Sequence, residues 1–167
     1  MIKDIVYFAK VRPDAIIPSK APHNAGYDIY ICSDEENIII NPHETKMLPT
    51  GIASVCTEDT YFQLFERGSG GIKGIGQRSG VIDSSYRGEW FIPITNHNMK
   101  PLLITKEQNP DVLKILEDDY IVYPMMKAIA QAVRLYLPTT IVQEISYDEL
   151  KEIPSERNLG CLGSSNK

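Results

Sequence analysis

A chain of 167 residues, 43% hydrophobic and 23% charged, is sized for one globular domain and supports a real core rather than disorder. Its net charge of −5 argues against a long nucleic-acid partner, which needs a basic face. A single nucleotide, held by a few local cations, stays compatible with that charge. Cys32, Cys56 and Cys161 are odd in number and widely spaced, so they read as free thiols of a reducing compartment rather than a disulfide framework or a zinc site. The opening stretch MIKDIVYFAKVRPD is broken by charges and proline and lacks a signal-peptide apolar run. No segment has the length of a membrane span. A cytoplasmic protein is expected.

Most apolar runs are short and bounded by Gly, Pro, Asn or Asp, which predicts an all-β fold. In chain order the expected strands cover residues 5–11, 38–41, 46–56, 61–66, 89–96, 120–123, 128–137 and 141–145. Alternation is clearest over residues 128–137. Ile129, Val133, Leu135 and Leu137 share one face, and Ala128, Ala130, Ala132, Arg134 and Tyr136 the other. Both faces are small or apolar, so the strand is expected to be covered on both sides, as at an oligomer interface. Asn109 is expected to cap a short helix that begins at Pro110 and buries Val112, Leu113, Ile115 and Leu116. Ser146 and Glu149 form a capping-box pattern for a second helix, which Pro154 ends. Residues 155–167 offer little to pack and are expected to be mobile unless a ligand or a neighbouring subunit holds them. Strand-rich chains handle their edges by closing or doubling sheets, so a jelly-roll-like β sandwich or barrel is the expected architecture.

Glycine concentrates in RGSGGIKGIGQRSG, residues 67–80, where backbone amides can approach phosphate oxygens. The segment is not a Walker loop, because Gly74 follows Lys73, and it is not a dinucleotide fingerprint, because Ser79 takes the place of the last glycine. Taken alone it is a turn-rich hairpin. GVIDSSYRGE, residues 80–89, carries Asp83 at a turn, where aspartate is commonly structural. Asp28 sits between apolar residues in NAGYDIY, residues 24–30, and is expected to face inward or be paired. Gln131 sits on an otherwise apolar strand face in AIAQ, so its amide must tie down backbone or meet a ligand. RNLGCLGSS, residues 157–165, reads by itself as a polar tail.

In this order and spacing the five segments resemble the five motifs of the trimeric dUTPase family, and LPTGI, residues 48–52, looks like a family strand between the first two. The resemblance implies a β jelly-roll homotrimer, with residues 1–154 forming the domain and the tail closing over a neighbour's active site. It implies Mg²⁺-dependent hydrolysis of dUTP to dUMP and pyrophosphate by water attack on the α-phosphorus. Asp83 matches the catalytic aspartate that orients and deprotonates the water. Tyr86 matches the tyrosine beneath the deoxyribose, and the hairpin that includes Gly80 and Ile82 would read uracil through its backbone. Arg67, Ser69 and Gly70 match the second motif, although Gly68 intervenes between Arg67 and Ser69 where the family has Arg-Ser adjacent; Ser69 would contact phosphate and Arg67 would be structural. Gln131 matches a phosphate-contacting glutamine. Arg157 matches the arginine on the γ-phosphate, and Gly163, Ser164 and Ser165 match the tail's end. Asp28 matches the aspartate that helps to hold the metal through water.

The chain departs from the family elsewhere as well, and Cys161 replaces a common glycine of the tail. Leu162 stands where an aromatic residue usually stacks on uracil. Ala128 stands where the fourth motif has arginine, with Lys127 beside it. Residues 99–123 form a longer segment, expected to be a surface excursion without a catalytic part. Three other readings are a nucleotide-binding or regulatory protein of weak activity that keeps the fold, a dCTP deaminase, and a plain jelly-roll interaction domain, which would leave the glycine-rich loop and GVIDSSYRGE unexplained. The deaminases carry a glutamate three places before a strand-end asparagine, and aligning Asn96 puts Pro93 there, which does no acid–base chemistry.

Overall fold

A computed structural model describes residues 5–78 and 80–155. Among the described residues, those up to 137 form one compact unit and those from 138 onward another. The first unit is a β sandwich of jelly-roll type, built almost entirely of short strands.

β1 (Tyr7–Lys10) pairs antiparallel with β5 (Ile52–Val55). β2 (Gly26–Ile29), β6 (Thr60–Glu66), β8 (Val81–Ile82) and β12 (Ala130–Tyr136) form a four-stranded sheet in the order β2-β12-β6-β8. β4 (Thr45–Pro49), β7 (Ile75–Gln77) and β9 (Phe91–Asn96) form a three-stranded sheet in the order β4-β9-β7. β3 (Asn37–Ile40), β10 (Leu102–Thr105) and β11 (Ile121–Pro124) form another, in the order β11-β10-β3. Strict alternation explains which faces meet. Phe62 and Leu64 of β6 point inward, as do Ile38 and Ile40 of β3, and they join Ile92 and Ile94 of β9 and Ile104 of β10 in one continuous core. Phe62 and Trp90 lie with ring centroids 5.2 Å apart at 61°, and Phe8 packs on both. Such tilted pairs add about 0.5–1.5 kcal/mol each beyond area burial.

The structure corrects the sequence expectation at several elements. Residues 46–56 are not one strand: Gly51 takes φ +68° and splits them into β4 and β5, which join different sheets. Only glycine suits this bend, because a Cβ there would lie 2.7 Å from Ala15 Cβ and 2.9 Å from Cys32 Sγ. The bend is also held from both sides, as Gly51 donates its N–H to Glu89 and accepts from Val11 at its carbonyl. Residues 99–123 are not a surface excursion throughout. Leu102, Leu103 and Ile104 are core residues of β10, and Val122 and Tyr123 are core residues of β11. The stretch between these two parallel strands lies largely outside, and it carries the short helix over residues 110–116.

The helices are short. α1 (Gly68–Gly71) is a single turn in the glycine-rich segment, and α2 (Pro110–Leu116) opens as expected, with the Asn109 side chain accepting from the Asp111 N–H. Its apolar residues are not buried: Val112 and Ile115 are exposed, and Leu113 and Leu116 are half-buried. In the second unit, α3 (Tyr147–Glu152) has a complete capping box between Ser146 and Glu149. Residues 141–145, expected as a strand, form none.

Two measurements test this packing. Gly51→Ala is expected to lose about 2–3 kcal/mol from strain and overpacking together, measured by urea unfolding with the fluorescence of the chain's one tryptophan, the buried Trp90. Buried Cys32 donates its thiol to Asp14 at 3.2 Å, and burial followed by that hydrogen bond raises its pKa from 9.0 to about 11. The folded chain therefore favours the protonated thiol. This contribution is intact below about pH 9 and is lost as pH rises through about 11. Melting temperature should fall more steeply over that interval in the wild type than in Cys32→Ala.

Candidate functional site

The residues singled out from the sequence gather at two places on the four-stranded sheet. The first lies at its β2 edge. Register puts Gln131 between Asp28 on one side and Phe65 on the other. The Gln131 side chain lies over Gly26, where a Cβ would come within 2.7 Å of Oε1, and Nε2 donates to the Glu66 carbonyl at 2.9 Å. Glycine on β2 thus makes room for an amide on β12. Directly after Glu66 the chain turns into α1, so Arg67 and Ser69 emerge at the same edge.

Arg67 does two jobs there. One amino group meets Asp28 Oδ1 at 3.3 Å, and the other donates to the Ala128 carbonyl at 3.1 Å. Both side chains of the ion pair are about one-third exposed, so the pair contributes at most about 1 kcal/mol. Its value is geometric: it ties β2, the start of α1 and the turn before β12 together. Gly70 donates its N–H to the Arg67 carbonyl at 2.9 Å, as the helical turn requires. Ser69 is exposed beside it.

The second place is the β8 edge. Gly80 takes φ +132°, and a Cβ there would lie 2.5 Å from Leu64 Cβ, so the hairpin presses directly on β6. The Gly80 carbonyl accepts from the Leu64 N–H at 2.8 Å. Ile82 points into the core, and Asp83, the next residue, is exposed at the turn. The Tyr86 N–H donates to the Asp83 carbonyl at 3.1 Å, closing the turn. The Tyr86 hydroxyl donates to the Glu89 carbonyl at 3.0 Å, and its ring passes so close to Gly88 that a Cβ there would lie 2.4 Å from Oη. The ring is thereby held in one place while 43% of the residue stays exposed.

The two groups are not brought together within one chain. β2 and β8 are the outer strands of the sheet, so three strand spacings, about 14 Å, separate Asp28's strand from the Asp83 hairpin. The expected tail residues Arg157, Leu162, Gly163, Ser164 and Ser165 lie outside the described residues. Sequence reasoning missed Tyr123, whose hydroxyl donates to the Ala128 carbonyl at 2.6 Å, beside Arg67. A tyrosine in an apolar run reads as core, and only the need of a buried hydroxyl for a partner could have marked it.

The β sandwich is shared with solved dUTPases. A mutant dUTPase of Staphylococcus bacteriophage 80alpha, solved with dUpNHpp, superposes with TM-score 0.73 at 20% identity, covering 96% of this chain and 98% of its own. The EIAV dUTPase superposes with TM-score 0.62 at 17% identity, covering 86% and 98%. At these identities the likeness concerns the fold. The sequence goes further. The dUTPase family profile matches residues 12–109. The deoxyuridine 5'-triphosphate nucleotidohydrolase of Clostridioides difficile is 32% identical over 161 residues, 93% of this chain and 94% of its own length. The enzyme of that name from Leptospira interrogans is 33% identical over 95 residues, which span 65% of its length. The chain belongs to the dUTPase family.

The modest worth of the Arg67–Asp28 pair can be measured directly. A double-mutant cycle of Arg67→Ala and Asp28→Ala should give a coupling below about 1 kcal/mol in urea unfolding. Arg67→Ala should cost more than Asp28→Ala, because it also strips a donor from the Ala128 carbonyl. Equal costs would contradict this division.

Proposed function

We propose that the chain hydrolyses dUTP to dUMP and pyrophosphate, in sites completed by neighbouring copies in a homotrimer. The observation that carries this reading is Asp83: an exposed carboxylate at a turn that Gly80 and Tyr86 hold rigid, in a member of the dUTPase family. Asp83 would accept the proton of the water that attacks the α-phosphorus, and a rigid base of this kind is worth about 100- to 10,000-fold in rate. Tyr86, fixed by Glu89 and crowded by Gly88, would fill the space of a 2′-hydroxyl and select deoxyribose. The backbone of the hairpin carrying Gly80 and Ile82 would read uracil.

At the other edge Ser69 and Gln131 would meet the phosphates, with Gly70 allowing close approach. Gln131 spends one amide hydrogen on Glu66 and has a second to offer. Arg67 would support this edge from behind. Arg157, Leu162, Gly163, Ser164 and Ser165 would close the site from a third chain.

A hydrated Mg²⁺ fits the donor set. Among the described residues no group of three His, Cys, Asp or Glu could cage a metal, whereas Mg²⁺ bound through substrate phosphates and water needs only one or two carboxylates. Asp28 would hold it through water, and the ion would supply charge neutralisation of the triphosphate. Separation of the two edges supports the shared site. So does the outward face of the four-stranded sheet, where Phe65 and Val81 are exposed beside half-buried Tyr61, Val133 and Leu135. A cytoplasmic setting suits the free thiols Cys32 and Cys56; no helix among the described residues is long and apolar enough to cross a membrane.

Pyrophosphate release should be fast from dUTP with Mg²⁺ and negligible from dCTP, dTTP and UTP. Asp83→Asn should lower it by about 100-fold or more. Co-refolding Asp83→Asn with Ser69→Ala should recover activity above either variant alone, because mixed trimers rebuild an intact site. Nucleotide binding without release by the wild type would sink the enzyme reading and favour a nucleotide-binding regulator.

A further inference from the structure

We propose that Tyr123 is a positioning residue for the phosphate end of the site, its hydroxyl fixing the Arg67–Ser69 turn and the turn before β12 as one unit. The inference rests on the dUTP reading above and names a residue that the motifs do not.

Tyr123 is fully buried near the end of β11. Its hydroxyl reaches across from the sheet β11-β10-β3 to the turn that leads into β12 of the four-stranded sheet. There it donates to the Ala128 carbonyl at 2.6 Å, and the same oxygen accepts from Arg67 at 3.1 Å. Two donors from different elements thus converge on one carbonyl. Burial raises the phenol's pKa first of all, and the Arg67 charge, with polar contacts from Ser69 and Arg67, opposes the rise. The group therefore stays a protonated donor at neutral pH. Lys127, on the turn so held, has its Nζ 5.5 Å from the centroid of the same ring, within cation–π range. Ring and hydroxyl together set the places of Arg67 and Lys127, and Ser69 follows Arg67 two residues on. Uracil and sugar would be met elsewhere, at the β8 edge.

Tyr123→Phe keeps the ring and removes only the donor, so it separates positioning from packing. Calorimetry on the full chain with Mg²⁺ would compare dUTP on an Asp83→Asn background, inorganic triphosphate, and dUMP, which carries base, sugar and one phosphate. Loss of one buried hydrogen bond predicts about fivefold to tenfold weaker binding of dUTP and of inorganic triphosphate, with dUMP affinity unchanged within about twofold and helix and sheet signals as in wild type. Unchanged binding of all three would overturn the proposal. So would an equal loss for dUMP, which would mark a general structural role. A wild type that binds inorganic triphosphate but never hydrolyses dUTP would defeat the proposed activity alone, and the triphosphate comparison would still decide the role of Tyr123. A wild type that takes up no triphosphate would overturn the positioning role as well.

Discussion

Seven residue pairs hold β12 against β6, from Ala130 opposite Glu66 to Tyr136 opposite Thr60, and this register governs what both faces of the sheet can do. A slip of one residue would turn every side chain to the opposite face. In the observed register Ala130 and Ala132 enter the core, where their small size leaves space for Phe62 and Leu64 of the neighbouring strand. Gln131 then faces outward between Asp28 and Phe65, and the Glu66 carbonyl comes within reach of its amide. The chain leaves β6 at that same end, so Arg67 appears beside Asp28 without any long loop. Packing on one face has arranged polar chemistry on the other.

How far such an arrangement can be read in advance depends on the range of the forces involved. β6 and β9 announce themselves by apolar alternation, and the starts of α2 and α3 by Asn109 and by the Ser146–Glu149 pair, because caps are local. β10 is different. All four of its residues are buried, so no alternation marks it, and a run so short does not distinguish strand from loop. β2 and β7 contain Gly26 and Gly76, poor strand formers on their own. They pair because Gln131 and His97 need the room above them, a requirement set by residues distant in the chain. At the site, motif order picked out Asp28, Arg67 and Gln131, which the structure gathers at one edge. It did not disclose that Arg67 is occupied by Asp28 and Ala128, or that a tyrosine from another sheet shares its acceptor.

The separation of Asp28 and Asp83 across one sheet bears on how copies would associate. In the proposed shared site one chain's β2 edge would meet another's β8 edge, which is a heterologous contact. Such contacts give closed rings when the rotation between copies closes, and open filaments otherwise. The proposed trimer would satisfy closure with three equivalent sites, and each chain would then depend on its neighbours for chemistry as well as for covering the apolar groups Phe65 and Val81.

β10 and β11 run parallel, so the connection between them must travel back the full length of a four-residue strand, about 13 Å. α2 spans seven residues, about 10 Å at helical rise, and with its flanking turns it matches that distance. The exposed stretch between the strands is therefore a strut with a minimum length. Relatives could lengthen it freely, at little entropic cost, but trimming it below that span would pull β11 out of register and carry Tyr123 away from the carbonyl it serves.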